Sequence, residues 1–152
     1  MNDTVSAALA AMPERIRKSL AAKAGMLADE LTAKIEQKLS GGVLKSKSGA
    51  LAGSIGATID DDASAGVSVR IATSPNIKYA AIHEYGGTIA PHQVVPDKAK
   101  ALAFLVGGKQ VFAARVQLPA IVMPQRSYMR SSLAEMADQI RDELAAAVIE
   151  LQ

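Results

Sequence analysis

The side chains able to do chemistry are few and poorly arranged for it. His83 and His92 are the only histidines, nine residues apart, with Glu84 beside the first. A zinc enzyme places its imidazoles on one helical face, at H-x-x-x-H or H-x-x-E-H spacing, and that pair is missing here. Asp60, Asp61 and Asp62 gather carboxylates, the ligand type that calcium takes. They lack the alternating D-x-D-x-D-G order and the distal bidentate glutamate, so they read as the solvated tip of a hairpin. Gly107, Gly108 and Lys109 suggest a phosphate loop, but the G-x-x-x-x-G-K-[ST] spacing is absent and strand-like runs flank them on both sides. Asp29 and Glu30 are adjacent acids, and neighbours on a helix diverge by about 100°, so they form no acid–base couple. There is no cysteine, no G-x-S-x-G elbow and no H-E-x-x-H. The residues therefore assign no catalytic group, metal or cofactor, and the expectation is a chain that is not an enzyme.

The elements that carry these residues follow from composition and periodicity. With 152 residues the chain is expected to be one domain, 1–152. Aromatics make up 3% and tryptophan is absent, so the core is built from Ala, Leu, Ile, Val and Met, and it is thin. Burial against copies of itself is a remedy for such a core. The lack of cysteine excludes disulfides, and a net charge of +2 is too small to argue for nucleic acid. The N-terminal apolar patch is preceded by Asp3 and interrupted by Pro13 and Glu14, which suits neither a signal peptide nor a membrane span.

From Thr4 to Leu39 apolar residues recur at helical steps, including Leu20, Leu27, Leu31, Ile35 and Leu39, with Pro13 expected to kink or restart the helix. Such a helix is longer than one small core needs. Ser40, Gly41 and Gly42 end it, and Lys45 to Gly49 form a polar, basic loop. Ser54 to Ile59 and Gly66 to Thr73 alternate as two strands. A short helix follows, with Ser74 as N-cap, Pro75 at the first position and Gly86 as stop. Its periodicity places Ile77, Ala81 and Tyr85 on one face and leaves Lys78 and Glu84 in water. Thr88 to Ala101, broken by Pro91 and Pro96, is expected to be an extended loop. Residues 102–106 and 109–116 then form a hairpin about Gly107 and Gly108, with Phe104 and Phe112 as anchors. A last helix from Ser127 carries the stripe Met129, Leu133, Met136, Ile140, Leu144 and Val148.

In order these elements read α-β-β-α-β-β-α. The expected fold is α+β: an antiparallel four-stranded sheet (51–118) packed by a long N-terminal helix (1–40), a short central helix (75–85) and a C-terminal helix (125–150).

Three segments carry a resemblance. Tyr79-Ala80 followed by His83-Glu84-Tyr85-Gly86-Gly87 resembles the YA…hE(F/Y)G signature of the HK97 gp10-like family and the related virion morphogenesis proteins. These are the tail-completion and head–tail joining proteins of tailed bacteriophages. Upstream, Gly49, Leu51, Ser54 and Ile55 resemble the family's TG.L..SI element. Downstream, Arg126 and Tyr128 fall where the family places a P.RPF…AL-like segment, with Ser127 and Tyr128 standing where proline and phenylalanine are common. The resemblance covers about residues 41–133, with Tyr79, Ala80, His83, Glu84, Tyr85 and Gly86 as the fold's signature and Arg126 and Tyr128 setting the start of the last helix.

The resemblance implies a structural protein of the neck, assembled as a ring, a hexamer, that joins the tail to the head connector around a DNA channel. Its partners would be copies of itself, the tail terminator or tail tube, and head-closure or connector proteins, with transient contact to genomic DNA and none to membrane. It would reside in the virion and, during assembly, in the host cytoplasm. Lys45, Lys47 and Arg70 are channel-facing candidates on basicity alone. A regulatory module binding nucleic acid or protein is the alternative; it requires a concentrated basic face, whereas the charges here are scattered among acids.

Overall fold

Apolar positions at steps of three and four build a helix with one buried stripe, and in α1 (Asp3–Leu39) that stripe is Ala24, Leu27, Ala28, Leu31, Ile35 and Leu39. The computed structural model describes residues 3–41, 49–62, 66–97 and 99–149. At 37 residues α1 is about 55 Å long. It continues through Pro13 without restarting, although the imino nitrogen cannot donate a backbone bond.

Against α1 lie two partners. The first is a ribbon of β1 (Ile55–Asp62) and β2 (Gly66–Thr73), paired antiparallel from Ile55↔Thr73 to Asp62↔Gly66. The ribbon approaches α1 closely at Gly25, where a Cβ would stand 3.3 Å from Ile59 Cδ1. The second partner is α3 (Met129–Ile149), which runs antiparallel to α1. Its polar contacts descend as α1 ascends: Ser19 Oγ donates to the Ala147 carbonyl, Lys23 pairs with Glu143 at 3.2 Å, and Lys34 and Lys38 share Glu135 at 3.0 and 2.6 Å.

The core sits where the C-terminal half of α1 meets the start of α3. Leu31, Ile35 and Leu39 pack there with Leu51, Ala80, Tyr128 and Met136. Leu51 enters from a 3₁₀ turn (Ala52–Ser54), and Ala80 opens α2 (Ala80–Tyr85).

Beyond α2 the chain leaves this core as an arm. β3 (Gly87–Ile89) pairs with β8 (Ile121–Met123), and β4 (His92–Val94) pairs with β7 (Val116–Leu118), all antiparallel. The two ladders keep one register, Ile89↔Ile121 continuing to His92↔Leu118. In that register Pro91 stands opposite Pro119, and two residues without N–H groups interrupt the rungs between them. At the end of the arm, β5 (Leu102–Val106) and β6 (Lys109–Ala113) form a hairpin about Gly107 and Gly108, both at positive φ as a primed turn requires.

The mixed helix–strand class and the antiparallel pairing agree with the sequence. The four-stranded sheet does not: the strands form four separate pairs, β1–β2, β3–β8, β4–β7 and β5–β6. Prolines and a register change split the second half of the chain, and among the described residues neither edge of the β1–β2 ribbon has a further strand partner. Residues 88–101, expected as a loop, supply β3 and β4. The central helix covers 80–85, not 75–85. Ile77 N bonds the Ser74 carbonyl and Ala80 N the Ile77 carbonyl, so successive tight turns replace its first turns and Ser74 caps nothing.

Candidate functional site

Glu84 is the most unusual side chain in the fold: a carboxylate only 3% exposed. It was expected in water. A buried ionised carboxylate is costly unless hydrogen-bonded, and what meets it is the open end of α3. Its Oε2 accepts from Tyr128 N at 2.7 Å and Met129 N at 3.0 Å. Its Oε1 accepts from Arg130 N at 3.1 Å, Arg130 Nε at 3.2 Å and Ser127 Oγ at 2.7 Å. The first amides of a helix have no partner of their own and carry partial positive charge, so an anion from outside the helix satisfies both needs. Glu84 is thus the N-cap of α3, supplied from a helix more than forty residues away.

Burial alone would raise the pKa of this carboxyl. The hydrogen bonds from Met129, Ser127, Tyr128 and Arg130 outweigh that and hold it down at about 2. Tyr128, fully buried against it, is pushed up to about 12 by burial and then by the negative charges of Glu84 and Tyr85. Its hydroxyl donates to the Ala80 carbonyl at 3.3 Å.

The rest of the signature closes the same joint. Arg126 N donates to the His83 carbonyl at 2.9 Å. Arg130 lies over the Tyr85 ring, 4.7 Å from its centre, which gives that exposed ring a cation to hold. Tyr79 meets His83 edge to face at 5.8 Å. Gly86 ends α2 at φ 71° and ψ −177°, a region essentially open to glycine alone. A Cβ there would come within 2.8 Å of Gln125 N. In the upstream segment Gly49 takes φ +70°, Leu51 enters the core, Ser54 Oγ donates to the Leu51 carbonyl at 2.7 Å, and Ile55 packs beside it.

The three segments singled out in the sequence therefore converge around Leu51, Ala80, Glu84 and Tyr128. The face of α2 that they use is not the expected one: Ala80 and Glu84 point inward while Ala81 and Tyr85 are exposed. Arg126 contributes its backbone, and the guanidinium at the joint is that of Arg130, which sequence reasoning missed. Its position four residues after Arg126 is the only signal that could have marked it. Arg70 is exposed on β2 opposite Thr58; Lys45 and Lys47 lie outside the described residues. His92 is exposed, its Nδ1 3.0 Å from the Ala90 carbonyl. Among the described residues no three His, Asp or Glu side chains gather to hold a metal, and no helix is long and apolar enough to cross a membrane.

Chemically the joint is a clamp: it holds α2, α3 and the root of the arm in one geometry, and the Ser127 hydroxyl beside the Glu84 carboxylate is one of its capping bonds. Comparison with protein-family models, with curated proteins and with solved structures gives no match.

Proposed function

We propose that the chain is a self-assembling structural subunit of a phage head–tail junction, with no reaction of its own. The observation that carries this reading is the arm. Residues 87–123 pair among themselves and hold apolar side chains in the open, Val95, Leu105, Phe112 and Val122 each more than half exposed. Surface of that kind, rooted in a rigid clamp, is what a subunit presents to neighbouring subunits. The resemblance of three ordered segments supplies the biological setting: a ring, hexameric by that likeness, between the tail tube or terminator and the head connector, with DNA passing through.

Light scattering at two concentrations with negative-stain imaging tests the reading. Rings, alone or nucleated on a tail or connector partner, are the expected result. A dilute monomer that shifts a DNA band, with affinity falling steeply as salt rises, favours a regulatory module instead.

A further inference from the structure

The β5–β6 hairpin is apolar on both faces. Leu102, Phe104, Val106 and Val111 share one, and Ala103, Leu105 and Phe112 share the other. A strand pair of this pattern belongs between two layers, and an isolated two-stranded hairpin is marginal in water. One face is the less open, Phe104 and Val111 being 36% and 37% exposed. The other is bare, with Leu105 at 74% and Phe112 at 65%.

The same chain carries an unfilled apolar groove of about 490 Å³ between α1, β2 and α3. Leu20 and Leu27 form its floor, Val67 and Val69 one wall, Leu133 and Leu144 the other. The groove exists because α3 splits its apolar stripe. Ser132, Met136 and Ala147 are buried, while Leu133 is left half exposed at 50%. No described residue of the arm lines this groove.

We propose that the bare face of the β5–β6 hairpin seats in the α1–β2–α3 groove of a second copy of this chain. Surface area favours a copy as the occupant. The chain exposes 10789 Å² for a mass of 15.8 kDa, about 3,500 Å² more than a compact chain of that mass. A stable interface takes about 800 Å² from each partner, so the excess covers a donor face and an acceptor face together. Charge does not oppose the contact: the bare face carries Gln110 and no charged residue, Lys109 standing beside Val106 on the other face, and the groove is lined by apolar side chains and Arg130. Knob and groove are different surfaces, so the contact is heterologous and propagates from copy to copy, closing as a ring if the rotation allows.

The inference rests on the reading of the chain as a self-assembling subunit and adds the surfaces used. The absence of native cysteine makes the test clean. Single-cysteine chains L105C and L133C, and separately L105C and V69C, are mixed under mild oxidation, with L105C and M26C as the control, since Met26 is exposed outside the groove. All four positions are at least partly exposed, so each variant folds. The expected result is a disulfide-linked dimer with one or both groove positions, formed on the order of a hundredfold faster than the control. No enhancement at either groove position overturns the proposal. Rings from the unmodified chain in that case leave the neck reading standing on other surfaces, whereas a persistent monomer without cross-links removes both; cross-links without rings keep the docking and remove the ring.

Discussion

Among the described residues five donors converge on the two oxygens of Glu84, and stability should register their loss at once. E84Q keeps the shape but turns an amide toward helix N–H groups, and should cost about 2–3 kcal/mol in urea unfolding. The pH dependence has a definite sign. The folded carboxyl titrates at about 2 against an ordinary 4.5, so between those values the unfolded chain binds the extra proton. The contribution, about 3 kcal/mol from a shift of this size, is complete above the ordinary value and disappears as pH falls toward 2. In E84Q the acid limb should flatten, keeping the shallower slope of Glu135 and Glu143, which hydrogen bonds from Lys38 and Gln139 respectively hold down. Equal acid sensitivity in both proteins would contradict the capping role. Gly86 supplies a second residue-scale outcome. G86A combines a forbidden φ with a 2.8 Å contact to backbone and should lose at least about 1–3 kcal/mol, while G53A, open on all sides at ordinary φ, should be nearly neutral by thermal melting.

At the scale of elements, α1 illustrates a local weakness tolerated for packing. Gly25 costs helix propensity, and its Cβ position meets only the flexible end of Ile59, itself nearly half exposed. Because that end can swing aside, G25A should stabilise the fold by about 0.5–1 kcal/mol, measured by denaturant midpoint at unchanged m-value. Loss of stability would mean that α1 and the ribbon cannot separate even slightly. Tyr128 joins α3 to α2 through both its ring and its hydroxyl; Y128F should lose about 1 kcal/mol, since only the bond to the Ala80 carbonyl is removed.

For the whole molecule, the separation of clamp and arm predicts separable properties. Replacing residues 102–113 with a short glycine link should leave the helical circular dichroism intact and change stability by no more than about 0.5 kcal/mol, because β5 and β6 pack chiefly on each other. The same deletion should abolish assembly in light scattering. A shortened chain that unfolds, or one that still assembles, would refute the separation.

How much of this was legible beforehand follows the range of the interactions. The limits of α1, the presence of the β1–β2 and β5–β6 hairpins and the Gly86 stop depend on periodicity and turn chemistry within a few residues, and the sequence determined them by itself; it did not place Asp60 to Asp62, expected as a hairpin tip, inside β1, nor end the expected 109–116 strand at Ala113. The fate of Glu84 could not be read so. Helical periodicity about α2 put it in water, because the N–H groups that donate to it belong to a helix start that local pattern does not bring near. Likewise Pro91 and Pro96 suggested a loop, and only the meeting of 87–94 with 116–123 turned Pro91, opposite Pro119, into a shared gap in a ladder. Tertiary structure also decided which half of the α3 stripe is covered and which lines an open groove, since apolar spacing fixes that a face must be buried but not what arrives to bury it.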